Sequence, residues 1–478
     1  MKQRGWMRSG IARAAMLAVL TAVVLAGCAT SGPNTAQAPF SAVVAGAPAY
    51  PNVTFMVLSD THFYDPSLGT SGKAWEAYMA DDRKLLADSE ETLQAAMEKV
   101  RLVKPSFLLV TGDLTKDGEK QCHDKFAGYL EDLKNAGIPS YVIPGNHDIN
   151  NPHANRFLPT GETRRVPSVN PAEFADIYAD FGYGHALYRD PASLSYIVQP
   201  VPGLWLLALD SAKYENNAAM NYPQTSGAIR AATYTWIEQH LREAAQQGVA
   251  VIACEHHPIM EHFDGMQAKF PEYIVDDNWR IANLLAAYNV RIIFTGHYHA
   301  NSIVMHRWDQ NAPAILQGKY IVDAETGSLV TWPCSFRTVT LSDSGSATIT
   351  TSRVGQLPSY AAAGKSFDTD GKRVIEDGIA NIAVATMKKY FVPQHDIDII
   401  IPEVLSAMMA HYAGDAHFQG DEMLTHKGLS VMGGLVVSTY NSFVEGLWRV
   451  RPPVNVQLME DNNLLIKADG TWSKTEAD

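Results

Sequence analysis

Five short apolar runs in this sequence are each followed by polar residues that can bind a metal ion. These polar residues are Asp60 and His62, Asp113, Asn146 with His147 and Asp148, His256 with His257, and His297 with His299. In an open α/β sheet the carboxyl ends of the strands form the ligand crevice, so the sequence predicts that these side chains converge. Carboxylates, a carboxamide and imidazoles together form the mixed nitrogen and oxygen donor set that suits Fe, Mn, Zn or Co.

The number of candidate ligands favours two metal ions over one. Two carboxylates, one carboxamide and four imidazoles are too many for a single tetrahedral zinc, but they suit two ions that share a bridging carboxylate. Two ions about 3.5–4 Å apart can clamp the attacking and leaving oxygens of a displacement at phosphorus. A water that bridges them becomes acidic enough to serve as hydroxide near neutral pH. Each motif alone is also a common turn sequence, so the prediction depends on all of them occurring together.

The elements that must position these residues alternate between short apolar runs and longer helical stretches. Strands are predicted directly before the polar residues, at 53–58, 107–110, 141–143, 249–253 and 291–294, with one more at 204–209. Between the first two of these strands, residues 83–103 place apolar side chains near helical spacing. Strands that alternate with helices predict an α/β core, which we assign to residues 53–353.

The second half of the chain changes in character twice. After residue 301 the pattern is strand-like, with strands predicted at 302–306, 314–316, 328–331, 336–341 and 347–351. Residues 372–390, 395–412 and 430–448 instead predict helices, and a polar tail follows them. We therefore predict a mostly helical C-terminal domain or cap over residues 354–478.

The amino-terminal residues have the pattern of an export signal. Four Lys and Arg residues precede an apolar stretch at 14–26, which is too short for a comfortable transmembrane span. The stretch ends in Leu-Ala-Gly-Cys, which resembles a bacterial lipobox and predicts lipidation of Cys28. Residues 1–27 are thus a predicted lipoprotein signal peptide, and residues 28–52 a predicted flexible tether. The alternative is a plain signal peptide in which the cysteine is incidental.

The composition and charge of the chain limit its partners. With 46% hydrophobic and 19% charged residues, the chain is neither disordered nor a disulfide scaffold. The formal net charge of −13 argues against a binder of duplex nucleic acid, which needs a basic surface for the phosphates. We expect a small phosphoester as substrate and an exported protein that is attached to the cell envelope through a lipid on Cys28. Ala29, in place of an acidic residue after Cys28, favours the outer membrane if the source has one.

The order and spacing of the motifs resemble the calcineurin-like metallophosphoesterase superfamily. That family's pattern of Asp-x-His, Gly-Asp, Gly-Asn-His-Asp, a lone His and Gly-His-x-His is matched without a gap between residues 53 and 353. The resemblance implies a four-layer αββα sandwich, in which two mixed sheets lie between helices. It also implies a binuclear centre of divalent or trivalent ions, with Fe, Mn and Zn as the candidates.

The resemblance assigns a role to each site residue. Asp60, His62 and His299 would hold the first ion, Asn146, His256 and His297 would hold the second, and Asp113 would bridge both. His256 is preferred to His257 because the family's ligand lies two residues before the proline, here Pro258. His147 would lie over the substrate, stabilise the charge at phosphorus and protonate the leaving oxygen. Asp148 would orient His147, with a helix cap as its alternative role.

The resulting prediction is a lipid-anchored, two-metal hydrolase of phosphoric esters that acts outside the cytoplasm, with phosphodiesters preferred. Purple acid phosphatases of this superfamily carry a tyrosine ligand three residues after the bridging Asp, whereas this sequence has Lys116 there and is closer to the phosphodiesterase branches. A phosphomonoesterase that scavenges phosphate is the alternative among enzymes, because it uses the same core. A non-catalytic surface lipoprotein on the same fold is the alternative outside enzymes, and the intact ligand set argues against it.

Overall fold

The computed structural model describes residues 46–80, 82–416, 423–448, 457–458 and 461–475. The predicted signal peptide at 1–27, the predicted lipidation site Cys28 and residues 28–45 of the predicted tether lie outside the described residues. Every helix within the described ranges is too short or too polar to cross a membrane.

Two large sheets and one small hairpin contain the strands of the described residues. The strands are β1 Val53–Leu58, β2 Leu108–Val110, β3 Ser140–Val142, β4 Asn155–Phe157, β5 Thr163–Arg165, β6 Tyr188–Arg189, β7 Tyr196–Val201, β8 Leu204–Ala208, β9 Ala250–Cys254, β10 Ile292–Thr295, β11 Ser302–Arg307, β12 Tyr320–Glu325, β13 Ser335–Leu341, β14 Ala347–Arg353, β15 Gln457–Leu458, β16 Leu464–Ile466 and β17 Trp472–Lys474. Sheet I has the order β17-β16-β14-β13-β1-β2-β3, sheet II has the order β15-β11-β12-β10-β9-β8-β7-β6, and β4 pairs with β5.

The helices connect these strands or follow them along the chain. They are α1 Lys73–Ala80, α2 Ser89–Val103, α3 Lys120–Asn135, α4 Pro171–Ile177, α5 Asn217–Met220, α6 Ala231–Gln247, α7 Met266–Lys269, α8 Asn278–Ala287, α9 Pro358–Ala362, α10 Phe367–Lys389, α11 Gln394–Ala413 and α12 Val431–Leu447. Short 3₁₀ helices lie at Pro66–Leu68, Leu86–Asp88, Ala179–Phe181 and Pro271–Tyr273.

Both sheets are mixed, and each has a parallel centre. In sheet I, β1, β2 and β3 are parallel neighbours, and β13 pairs antiparallel with β1. In sheet II, β8, β9, β10 and β12 are parallel, and antiparallel strands flank them. Because parallel strands end at the same edge, each sheet presents a row of strand ends from which loops can converge.

Apolar side chains fill the space between the sheets, and helices cover their outer faces. Phe55 of β1 stacks on Phe107 at 4.6 Å and meets Phe294 of β10 edge-on at 5.4 Å, so the two sheets are in direct contact. Outside sheet I, α3 packs on β3 and α2 packs beside α3. Outside sheet II, α6 packs on β9 and α8 packs on β12. The predicted α/β sandwich with helical outer layers is confirmed.

The three predicted C-terminal helices are present as α10, α11 and α12, so the predicted helical C-terminal region is also confirmed. The chain after them was expected to be a polar tail, and this expectation is wrong for three short segments. β15 pairs with β11 at the edge of sheet II, whereas β16 and β17 extend sheet I beyond β14. Strands of two or three residues offer too few alternating positions for a sequence pattern to reveal them.

Two predicted strands are absent from the described residues, and two six-residue strands, β7 and β12, were not predicted. Residues 314–316 form a turn, and residues 328–331 form a turn that begins with an isolated bridge at Ser328. β12 was missed because its acidic residues resemble a loop. Asp323 is nevertheless buried, since its Oδ2 accepts the backbone N–H groups of Ile259 at 2.8 Å and Met260 at 3.1 Å.

Candidate metal centre

The candidate ligands come from loops at the carboxyl ends of the central strands of both sheets. Asp60 and His62 follow β1, and Asp113 and Asn146 follow its parallel neighbours β2 and β3. His256 follows β9, and His297 and His299 follow β10. Five of the candidate ligands have positive φ: Asp60 at 48°, His62 at 37°, Asp113 at 49°, His297 at 77° and His299 at 68°. A left-handed backbone costs an L-residue about 1–2 kcal/mol, and such strain accumulates at functional sites.

One group of ligand atoms lies around Asp60. The Nε2 atoms of His62 and His299 lie 3.1 Å apart. Asp60 Oδ1 is 3.4 Å from His299 Nε2 and 3.8 Å from His62 Nε2. Asp60 and His62 are fully buried, whereas the His299 side chain is 13% exposed, so this group lies on the open side of the cluster. These three residues can hold one metal ion.

A second group of ligand atoms lies around His256. Its Nε2 is 3.1 Å from Asn146 Oδ1, 3.2 Å from His297 Nδ1 and 3.3 Å from Asp113 Oδ2. Asp113 Oδ2 is also 3.6 Å from Nε2 of His62 in the first group. The Asp113 carboxylate therefore lies between the two groups, where it can serve an ion in each.

The hydrogen bonds of these residues fit the binding of cations. His256 Nδ1–H donates to the carbonyl of Thr111 at 2.9 Å, and His297 Nε2–H donates to the carbonyl of Glu272 at 3.1 Å. When both rings are neutral, the ring nitrogens of His256 and His297 that face each other carry lone pairs, and a cation between them relieves the repulsion of these lone pairs. Asp60 Oδ1 is buried and has no hydrogen-bond partner among the described residues. Residues of these types in this arrangement fit two ions with nitrogen and oxygen ligands.

The carboxylates favour positive charge at the centre of this cluster. Burial lowers the pKa of His256, but the negative charge of Asp113 and its hydrogen bond outweigh burial and raise that pKa to about 9. Burial and the neighbouring histidines His257 and His256 keep the pKa of His297 well below its usual value. The negative charge of Asp113, which favours a proton on His256, would equally favour a metal ion bound to His256 in place of that proton.

The glycines of two motifs are required because ligands lie where their side chains would be. A Cβ on Gly145 would come within 2.2 Å of Asp113 Oδ1. A Cβ on Gly296 would come within 1.9 Å of Ser59 Oγ and 2.4 Å of Asp60 Oδ2. Any larger residue at either position would displace a candidate ligand.

His147 lies beside the two groups with one ring nitrogen held by the protein. Its Nδ1–H is 2.7 Å from the carbonyl oxygen of Lys116 and 3.0 Å from Asp117 Oδ1. Its Nε2 is 4.0 Å from Asp113 Oδ2, and its side chain is 23% exposed. Burial lowers the pKa of His147, but Asp113 and Asp117 outweigh burial and raise it. The free Nε2 is therefore placed to transfer a proton at the open side of the cluster.

The expected role of Asp148 is wrong, because its carboxylate points away from His147 into the loops. Its oxygens accept the backbone N–H groups of Gly145 at 2.8 Å, Thr115 at 3.0 Å and Leu114 at 3.1 Å. Asp148 thus ties the loop that carries Asp113 to the loop that carries Asn146. The residue that orients His147 is Asp117, which the sequence analysis did not identify. The sequence does contain a signal for Asp117, because it lies four residues after Asp113 in the loop between Gly112 and Gly118.

Lys116 explains why Asp117 remains ionised in a buried place. The Lys116 ammonium forms an ion pair with Asp117 and lies 3.2 Å from Glu119 Oε1. It also lies 4.7 Å from the ring centroid of Tyr78. Burial raises the pKa of Asp117, but the charge of Lys116 and the hydrogen bond from His147 hold it well below its usual range. Lys116 stands at the position where purple acid phosphatases carry a tyrosine ligand, and in this chain it stabilises the Asp117 carboxylate that binds His147.

His257 does not face the ligand cluster. Its Nδ1 is 2.8 Å from Ser211 Oγ, and its Nε2 is 2.9 Å from the carbonyl oxygen of Thr225. Both ring nitrogens are thus engaged by the protein, which leaves His256 as the histidine of this pair that reaches the metal centre.

Comparison with known proteins agrees with this geometry. Residues 53–301, more than half of the chain, match the family described as calcineurin-like phosphoesterase. The human serine/threonine-protein phosphatase CPPED1 is 24% identical over 261 residues, which are 50% of this chain and 68% of that protein. A probable cyclic nucleotide phosphodiesterase of Rhodopseudomonas palustris is 25% identical over 252 residues, covering 51% of this chain and 71% of that protein.

Among solved structures, a dimetal phosphatase from Danio rerio is similar with a TM-score of 0.43 and 13% identity, covering 63% of this chain and 96% of that one. The match over residues 53–301 and the two groups of His and Asp residues lead to one conclusion. This chain belongs to the calcineurin-like phosphoesterase family and is a metal-dependent hydrolase.

Proposed function

We propose that this protein is a phosphodiesterase that acts on small organic phosphodiesters outside the cytoplasm, anchored to the cell envelope by a lipid on Cys28. The observation that carries the proposal is the convergence of two groups of ligand atoms around Asp113, with His147 beside them. Two ions bound there would supply Lewis acidity at the phosphate and lower the pKa of a water between them.

The residues of this chain have separate tasks in that reaction. Asp60, His62 and His299 would hold one ion, Asn146, His256 and His297 would hold the other, and Asp113 would serve both. His147 keeps its Nε2 towards the substrate because Asp117 and the Lys116 carbonyl hold its Nδ1. The raised pKa of His147 favours the protonated ring, which can stabilise charge on the phosphate and give a proton to the departing alcohol.

The preference for diesters is supported by two observations. Lys116 occupies the position of the tyrosine ligand of purple acid phosphatases, and in this chain it supports Asp117. Several of the similar proteins are named cyclic nucleotide phosphodiesterases, although CPPED1 is named a phosphatase. A phosphomonoesterase uses the same machinery, so the experiment must separate the two activities.

The test is metal analysis together with hydrolysis of bis(p-nitrophenyl) phosphate and p-nitrophenyl phosphate by the mature protein. We expect two ions per chain and diester hydrolysis that falls by about a hundredfold or more in Asn146→Ala and His147→Ala. His185→Ala is the matched control, because the His185 side chain is 65% exposed and its partner is Asp180 at 3.4 Å.

The outcomes separate the alternatives. Hydrolysis of the monoester alone would replace the diesterase proposal with the phosphatase. Two bound ions without hydrolysis of either ester, after reconstitution with Mn, Fe and Zn, would favour a non-catalytic role.

For the anchor, Cys28→Ala should abolish incorporation of labelled palmitate and release the protein from the membrane fraction. Unchanged labelling of that variant would refute lipidation at this residue.

A further inference from the structure

We infer that Arg83 and Lys84 form a second anion-binding subsite beside the metal centre, which selects phosphoesters that carry another anionic group besides the ester phosphate. This inference rests on the proposed phosphoesterase function and adds a class of substrate to it. It concerns the segment 82–85, which precedes a 3₁₀ helix and belongs to none of the metal-binding motifs.

One side of this segment is fixed to the loop that supports two candidate ligands. The backbone N–H of Leu85 donates to the carbonyl of Val330 at 2.7 Å. In the same loop, Ser328 Oγ donates to the backbone carbonyl of Asp60 at 2.8 Å, and Thr331 Oγ1 lies 2.8 Å from His299 Nδ1. Residues 82–85 therefore lie next to the first group of ligands.

The other side of the segment reaches the second group of ligands. Arg83 Nη2 donates to the hydroxyl of Tyr273 at 3.5 Å. The Tyr273 ring lies 4.9 Å from the ring of His297, tilted by 40°. Residues 83–85 thus extend from the loop beside Asp60 and His299 to Tyr273, whose ring packs on His297.

The positive charge of this segment is only partly neutralised. Lys84 forms an ion pair with Asp82 at 3.6 Å and is 13% exposed, whereas Arg83 forms no ion pair within the ranges that the structure describes. Within the described residues 82–85, the cations Arg83 and Lys84 outnumber the single carboxylate of Asp82.

A phosphodiester alone does not need these cations. Its single negative charge is matched by two metal ions and by His147 at the reacting phosphate. A second phosphate or carboxylate on the same substrate would give Arg83 and Lys84 a partner, with charge-assisted hydrogen bonds that are about twice as strong as neutral ones.

Helix α10 holds the subsite in place. A Cβ on Gly378 of α10 would lie 2.7 Å from the carbonyl oxygen of Asp82 and 3.1 Å from Arg83 Cα. A Cβ on Gly371, two turns earlier, would lie 3.4 Å from Leu85. The backbone of α10 therefore lies directly against residues 82–85, so this C-terminal helix positions the segment that carries Arg83 and Lys84.

The test compares two substrates that share one ester and one leaving group. They are the p-nitrophenyl ester of thymidylate with a free sugar hydroxyl, and the same ester with a second phosphate on that hydroxyl. We expect the protein to prefer the second substrate by about tenfold to a hundredfold in kcat/KM. Lys84→Met and Arg83→Met should each reduce this preference towards unity, mainly through KM, while Arg83→Lys should retain part of it.

Lys388→Met, which removes an exposed lysine at the far end of α10, is the matched control and should keep the preference. Thermal unfolding of each variant distinguishes a lost contact from a lost fold. Equal hydrolysis of both substrates by the unaltered protein, or a preference that survives both Met variants, would overturn the subsite and leave the phosphodiesterase intact. Hydrolysis of neither substrate would instead overturn the proposed function.

Discussion

The metal-binding loops and the cationic segment 82–85 lie at the same site but are held there in different ways. Each loop follows its own strand, and short hydrogen bonds fix it, such as those from Gly145 and Leu114 to Asp148. The cationic segment is instead held between a distant loop at Val330 and helix α10. We therefore expect chemistry at phosphorus to depend mainly on the loops of the sandwich, and recognition of the rest of the substrate to depend also on helix α10.

The strongest test of this contrast is the loss of the shared carboxylate. Asp113→Ala should lower kcat/KM for every phosphoester by about a thousandfold or more, because Asp113 Oδ2 faces ligands of both groups. Metal analysis should show fewer than two ions per chain. Asp132→Ala, an exposed acid on α3, is the control and should retain both ions and full activity.

If Asp113→Ala lowered kcat/KM strongly for one phosphoester and only slightly for another, the separation of catalysis in the metal-binding loops from recognition by the segment 82–85 would be contradicted. Such a result would show that the metal loops also set the choice of substrate.

The second test separates the two aspartates near His147. Asp117→Asn should lower kcat by about tenfold to a hundredfold with little change in KM or metal content, because it weakens the acceptor for His147 Nδ1–H. Asp148→Ala should instead lower the free energy of unfolding by about 1–3 kcal/mol, because it leaves buried N–H groups of Gly145, Thr115 and Leu114 unpaired.

Steady-state kinetics and urea unfolding of both variants check this pair. If Asp148→Ala lowered kcat without loss of stability and Asp117→Asn had no effect, the sequence-based assignment of Asp148 would be restored.

The same contrast explains how much of the site was predictable from the sequence. β1 was predicted with its observed bounds, and the candidate ligands converge as expected because each follows a parallel strand directly. Residues that come just after a parallel strand in the sequence also lie at the crevice formed by the strand ends. The position of each loop motif after its strand is therefore enough to predict where its side chains lie.

The residues that sequence reasoning missed reach the site through long-range contacts. Glu272 contributes only a backbone carbonyl to His297, which no side-chain pattern can reveal. Thr331 lies in a segment that was predicted as a strand, and its role depends on a turn. Arg83 was included in a predicted helix, but the observed α2 begins at Ser89. The residues before Ser89 are therefore not helical at Arg83 and Leu85, which contact Tyr273 and Val330 instead.

The smallest expected effect tests whether the C-terminal helices act on recognition through α10. Gly378→Ala would bring a Cβ within 2.7 Å of the Asp82 carbonyl, so the segment that carries Arg83 must shift. We expect the preference for the doubly anionic substrate to fall by roughly threefold to tenfold, since the displacement weakens a charge-assisted contact without removing it.

Gly434→Ala is the matched control for this change, because a Cβ on Gly434 of α12 has no neighbour within 4 Å. Both substitutions replace glycine in a helix, where alanine is favoured by about 1 kcal/mol, so both gain the same helical propensity. A lower preference in Gly378→Ala alone would place the effect at the contact with Asp82. The same change in both variants, or in neither, would mean that α10 supports the fold without setting the substrate, and that the two regions contrasted above act independently.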